Sequence, residues 1–178
     1  MDLTQTVPML DAALNVSRES IQKNALIEKI RSSLTLRVLK ELQFLADNNV
    51  EKFGKFWEQY GTMIKEGISA DFKNKNRLME LLRFNSSVSE SSIPDVSFKD
   101  YTSRMREEQN DIFYVTGGSR EAILHNPNLE YFRKQSLEVL FMTEQIDDFM
   151  VTDLREYEGK KLKNISQEDI EGISDNDI

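Results

Sequence analysis

The sequence predicts an α/β protein, with a three-helix coil followed by a small three-layer αβα unit built on a mostly parallel sheet. Three observations point there. Over the first half, apolar residues recur at steps of three and four. Over the second half, short apolar runs alternate with helical stretches in the order α-β-α-β-α-β, the pattern of strands buried on both faces and joined by helical crossovers. Glycine and proline together number only 10 of 178 residues, about half the usual share, so few helices are interrupted.

The first helix follows Ser17-Arg18-Glu19-Ser20-Ile21-Gln22, which reads as a polar loop with Ser17 as a plausible cap. Its apolar positions are Ile27, Ile30, Leu34, Val38, Leu42 and Leu45, with Lys29, Arg37 and Lys40 opposite, and Asp47-Asn48-Asn49 ends it. The second helix carries Phe53, Phe56, Trp57, Tyr60 and Ile64, with Glu66-Gly67 as its stop. An aromatic stripe at helical spacing is core rather than a cofactor box. The third helix is shorter and buries Leu78, Leu81 and Leu82. Three amphipathic helices in series are expected to bury their stripes against one another or a neighbour.

Residues 86–95 are polar, serine-rich and close on Pro94; they read as an exposed loop between two parts. Beyond it, Ser97 with Asp100 three residues on opens a capped helix. Residues 111–116 are a β-rich run, 116–135 are helical with a restart at Asn126-Pro127, 137–144 are a second apolar run, 146–157 are helical, and 161–166 are a third strand candidate. The expected divisions are an unmatched leader over 1–13, the loop and three-helix coil over 14–94, the αβα unit over 95–164, and an acidic tail or linker over 165–178.

Composition excludes several function classes. The 31 acidic and 23 basic residues give a net charge of −8, which disfavours nucleic acid as a partner. Half of that charge lies beyond Val151, and the last fourteen residues hold five acids and no base. The absence of cysteine rules out a disulfide scaffold, a thiol nucleophile and cysteine-ligated zinc. The single histidine, His125, rules out histidine cages. No apolar run approaches a membrane span and no signal peptide is visible, so a soluble intracellular protein, taken as cytoplasmic, is the default expectation.

Four features remain as candidate chemistry. Thr116-Gly117-Gly118-Ser119 lies between a strand and a helix, but it matches neither a dinucleotide fingerprint nor a phosphate loop and reads as a tight turn capped by Ser119. His125 reads as a surface residue at a helix end. Asp147 and Asp148 are adjacent, so they do not face each other on a helix, and the N-terminal dipole accounts for both. Arg18 has nothing in its local sequence that makes it catalytic.

The loop around Arg18 nevertheless carries a resemblance. Leu14-Asn15-Val16-Ser17-Arg18-Glu19 with Gln22 resembles the catalytic loop of the middle domain of the heat-shock protein 90 chaperones. The likeness continues in order through Phe56-Trp57-Glu58-Gln59-Tyr60-Gly61, Lys65-Glu66-Gly67, Leu81-Leu82-Arg83-Phe84, Asp100-Tyr101, Ser103-Arg104-Met105 and Ile112-Phe113-Tyr114-Val115-Thr116. Glu138-Val139-Leu140, Gln145-Ile146-Asp147-Asp148 and Tyr157-Glu158-Gly159-Lys160 complete it. The wording at Trp57 and Lys65-Glu66-Gly67 is closer to the bacterial high-temperature protein G branch. One departure is Ala12-Ala13, where the family usually has a proline, which loosens the loop entry.

The resemblance implies a middle-domain segment of an ATP-driven homodimeric chaperone, with Met1 beginning a piece of a longer chain. ATP with Mg would be bound mainly outside it, by an N-terminal domain, and a C-terminal domain would dimerise. Arg18 would reach the γ-phosphate as catalytic and ATP-contacting residue, with Gln22 steadying the loop or the docked domain. Asp148, Phe149 and Thr152 would form part of a surface for unfolded or partly folded client proteins, against the bland alternative that Phe149 packs on the sheet. No metal ligands, no nucleic acid and no membrane are implied, and no activity is expected of this piece alone. The competing reading is a non-enzymatic interaction scaffold, consistent with the lack of a self-contained site.

Overall fold

A computed structural model describes the backbone of residues 7–90 and 93–167, with side chains from Gln22 onward. The chain divides into two compact units, Met1–Glu41 and Leu42–Ile178.

The first unit consists of the greater part of α1, Val7–Asn48. The segment around Arg18, expected as a polar loop, falls within this helix. The reason is visible in the sequence: between Pro8 and Gly54 there is no glycine or proline to stop a helix. The predicted apolar stripe is on the helix, half-buried at Leu42 and Leu45 but uncovered over its first four positions. Ile27, Ile30, Leu34 and Val38 are all exposed, while Leu39 is buried. Periodicity reports that one face is apolar; burial additionally requires a partner for that face.

The second unit begins with the last two turns of α1. Asn49 then caps α2, Val50–Ala70, accepting from the Lys52 N–H at 3.0 Å. Phe53, Trp57, Ile64 and Ile68 of α2 are buried, as the aromatic stripe predicts, though Tyr60 is exposed. The helix does not stop at Gly67. That glycine sits inside it because a Cβ there would lie 3.0 Å from Leu78 Cδ1, so the bare backbone lets the next helix close in. A 3₁₀ turn, Phe72–Asn74, leads to α3, Lys75–Leu81, which buries Leu78 and Leu81, with Leu82 buried just beyond.

The sheet has five strands in the order β1-β3-β2-β5-β4. The central strands β3 (Leu140–Met142), β2 (Asp111–Thr116) and β5 (Lys160–Asn164) are parallel, and the two-residue edges β1 (Asn85–Ser86) and β4 (Glu156–Tyr157) are antiparallel. All three predicted strands are present, and the sheet is mostly parallel as expected. The edges are additions. β1 pulls the start of the serine-rich stretch out of solvent: Ser86 is buried, and Ser87 Oγ accepts from the Val139 N–H at 3.0 Å. β4 takes the end of the stretch predicted as helix over 146–157.

Between the strands, α4 (Phe98–Arg104) opens on a reciprocal capping box of Ser97 and Asp100. Ser119 caps α5 (Arg120–Leu124), and Asn126 caps α6 (Pro127–Lys134), where Pro127 restarts the helix. α7 spans Gln145–Leu154. Phe113, Val115 and Phe141 on one sheet face pack with Ile123, Leu129 and Phe132 of α5 and α6. The alternate residues Ile112, Leu140 and Met142 are buried on the other face.

Candidate functional site

The implied residues fall into two groups. Arg18 and Gln22 lie one turn apart in α1, in the first unit; the Arg18 side chain lies outside the described residues, and Gln22 is exposed. Asp148, Phe149 and Thr152 lie together on α7, in the second unit, and all three are exposed. Phe149 is 66 % accessible, so it does not pack on the sheet. Thr152 Oγ1 donates to its own helix, to Asp148 O at 2.9 Å.

The helix that carries Phe149 is tied to α2. Lys65, only 3 % accessible, sends its ammonium into the joint between α2 and α7. There it pairs with Glu144 Oε1 and Asp147 Oδ1, each at 2.7 Å. Asp147 Oδ1 has no hydrogen-bond donor beyond that ammonium. Thr62 Oγ1 donates to Glu144 Oε2 at 2.8 Å, and Asp147 Oδ2 accepts from the Glu144 N–H at 3.0 Å. The ammonium also lies 5.6 Å from the Phe84 ring centroid and 6.0 Å from that of Trp57. Further along, Ser69 Oγ donates to the Asp153 carboxylate, and Lys75 Nζ to the Asp153 carbonyl at 2.5 Å.

The electrostatics of this joint are uneven. Burial pushes the Asp147 carboxyl above its ordinary range, more than Lys65 and the Glu144 N–H pull it down. At Glu144 burial works the same way, but Lys65 and Thr62 outweigh it and hold the carboxyl low. Asp147 was assigned by sequence to the helix dipole alone. It does close a capping box at the start of α7, but its main partner is Lys65, 82 residues away. The available signal was Lys65 itself, a charge eight residues after Trp57 and four after Gly61, in step with the buried face.

The remaining candidates resolve into structure. Gly117 donates its N–H to Met142 O at 3.0 Å, and a Cβ on it would lie 2.7 Å from Ile123 Cγ1. Its neighbours across the turn are the acids Glu144 and Asp148, which repel phosphate. His125 is exposed at the C-cap of α5, with Nδ1 2.7 Å from Glu121 O. Among the described residues no group of three or more histidine, cysteine or acidic side chains could hold a metal, and no helix is long and apolar enough to cross a membrane.

Comparison with known proteins gives this arrangement a context. The chain is 45 % identical over 161 residues to the chaperone protein HtpG of Francisella tularensis subsp. novicida, covering 90 % of this chain and 26 % of that protein. It is 43 % identical over 157 residues to HtpG of Alkalilimnicola ehrlichii, covering 88 % and 24 %. It is 43 % identical over 161 residues to HtpG of Legionella pneumophila, covering 90 % and 26 %. The chain therefore spans about a quarter of the length of the curated relatives it matches. The family model described as Hsp90 protein matches residues 7–177, which takes in both the α1 segment and the anchored α7, and this chain belongs to the Hsp90 family of chaperones.

Proposed function

We propose that this chain is the middle-domain segment of an ATP-dependent, cytoplasmic, homodimeric chaperone. In this reading Arg18 serves hydrolysis of ATP held with Mg by an N-terminal domain, and Gln22 steadies the segment. A planar guanidinium offers several donors to the charge that develops on a transferring phosphoryl group, which is why an arginine suits that position. The nucleotide lies mainly outside the chain. The domain divisions proposed are the catalytic segment and helical coil over 14–94, the αβα unit over 95–164, and an approach to a dimerising domain over 165–178.

The second part of the reading is a client surface on α7 made by Asp148, Phe149 and Thr152. The observation that carries it is the accessibility of Phe149 on a helix whose inner face is fixed to α2 by ion pairs from the buried Lys65. Phe149 and Ile146 line one depression rimmed by Thr62, Glu144 and Gln145, and an apolar surface with a polar rim is the form a binding surface takes.

Two measurements in the full-length protein test the two parts separately. Arg18→Ala is expected to cut ATP turnover by about two orders of magnitude while nucleotide binding persists; unchanged turnover refutes the catalytic role and favours a non-enzymatic scaffold. Phe149→Ser is expected to weaken capture of an unfolded client without changing basal ATP turnover, and unaltered capture refutes the client surface.

A further inference from the structure

Between α3 and the β4–β5 hairpin the second unit has a notch of about 510 Å³, within the range of roughly 300–1,000 Å³ typical of ligand sites. Its walls are tied together. Tyr157 Oη donates to Glu80 Oε1 at 2.9 Å, joining the hairpin to α3. The hairpin turns through Glu158 (φ 50°) and Gly159 (φ 79°), both left-handed, as a two-residue turn of the mirror-image type requires. The chain enters it through Arg155, at φ 59° and ψ −43°, a conformation that side-chain-bearing residues disfavour and that persists only where the surroundings impose it.

One edge of the notch is Phe72, 85 % accessible, the most exposed large apolar side chain among the described residues. It is presented by a 3₁₀ turn that Asp71 holds through bonds from the Asn74 N–H at 3.2 Å and Asn74 Nδ2 at 2.7 Å. The opposite edge carries Glu156 and Glu158, both exposed. Neither has an ion-pair partner among the described residues. The lining cation, Lys75, already donates to the Asp153 carbonyl. Buried Met79 and Leu154 add apolar surface between the two edges.

We propose that this notch binds a polypeptide segment in which an arginine or lysine stands beside a bulky apolar side chain. The cation is held between the face of Phe72 and the carboxylates of Glu156 and Glu158, and its apolar neighbour lies against Met79 and Leu154. Charge complementarity selects this occupant: an acidic segment is repelled, and a neutral one leaves both carboxylates facing it without a partner. The surface does not depend on the α7 reading.

The test is fluorescence anisotropy of the 178-residue chain with a labelled ten-residue peptide of alternating leucine and arginine, alongside analogues with citrulline or glutamate in place of arginine. Backbone amide shifts locate the contact. Binding is expected to the arginine peptide, about three-fold or more weaker to the citrulline analogue and absent for the glutamate analogue, with shifts at Phe72, Met79 and Tyr157. Phe72→Ser and the pair Glu156→Gln/Glu158→Gln are each expected to weaken it by about two- to five-fold. Both sites are exposed, and Val50→Ser, an exposed apolar residue elsewhere, serves as control. Phe72→Ser leaves the net charge unchanged, so equal binding by that variant shows only diffuse attraction to an acidic protein and overturns the proposal. No binding, or shifts confined to other surfaces, overturns it equally.

Discussion

Replacing Lys65 by methionine tests whether the α2–α7 joint is an electrostatic element or a by-product of packing. Methionine keeps an unbranched side chain of similar length, so the loss is confined to the ammonium, which sits between the two acids and over the Trp57 and Phe84 rings. It leaves Asp147, fully buried, and Glu144 without their cation. Removing one partner of a buried ion pair costs about 3–5 kcal/mol, because the surviving charge keeps its desolvation penalty. That is a large fraction of the ~5–15 kcal/mol of a whole domain. The variant can recover part of the loss by protonating Asp147, whose carboxyl burial already pushes upward. An acid whose folded-state pKa is raised favours folding at low pH and loses that contribution as pH rises, so the deficit should be larger at pH 8 than at pH 5. Urea unfolding across that range measures it, and adding Asp147→Asn should restore part of the stability lost at pH 8. A Lys65→Met variant within about 1 kcal/mol of the parent at pH 7, with no pH dependence, would refute the reasoning.

Two further predictions concern other parts of the second unit. Gly54 and Gly61 both lie inside α2 and should respond to alanine with opposite signs. Beyond its chain neighbours and its own helix backbone, nothing lies within 4 Å of a Cβ at Gly54, so Gly54→Ala should raise stability by about 0.5–1 kcal/mol through helix propensity. A Cβ at Gly61 would lie 2.8 Å from Trp57 Cε2, and the cost of overpacking, about 1–3 kcal/mol, should exceed that gain; paired thermal melts decide. At the start of α4, Asp100 is held below its ordinary carboxyl value: burial opposes ionisation, but its bonds to Ser97 and the charges of Arg83 and Arg104 prevail. Its contribution is therefore present above the unfolded-state value near 3.8 and lost as pH falls through the folded value. Ser97→Ala should raise the Asp100 titration midpoint in a carboxyl NMR titration and cost about 1 kcal/mol.

What could be read from sequence were the features whose cause is local. The α4 capping box, the Ser119 cap, the restart at Pro127 and the three central strands each rest on residues within one turn or one run. β1 and β4 were missed because two residues are too few to show alternation, and because α7 ends at Arg155, a left-handed position with no glycine to announce it. The α1 stripe is apolar as read, but from Ile27 to Val38 it is not covered, since periodicity is silent about partners. At the candidate site, Asp148, Phe149 and Thr152 came from family resemblance, and nothing in their local chemistry separates Phe149 from an ordinary core aromatic. Lys65, Glu144 and Asp147 meet across 79 and 82 positions, a distance no periodicity spans.

The same joint explains how α7 can keep a phenylalanine in water. Rotating α7 to bury Phe149 would gain about 1.5–3 kcal/mol of transfer free energy. The rotation would also carry Glu144 and Asp147 away from Lys65 and break the ties of Ser69 and Lys75 to Asp153. The separation of the buried charges alone costs about 3–5 kcal/mol, more than the burial returns. The inner face of α7 thus sets buried Met150 and Leu154 beside charges anchored at both ends, and that arrangement fixes the outer face. Rolling would also take Met150 and Leu154 out of the core, at about 1.5–3 kcal/mol each, so apolar packing and the buried charges together keep Phe149 accessible.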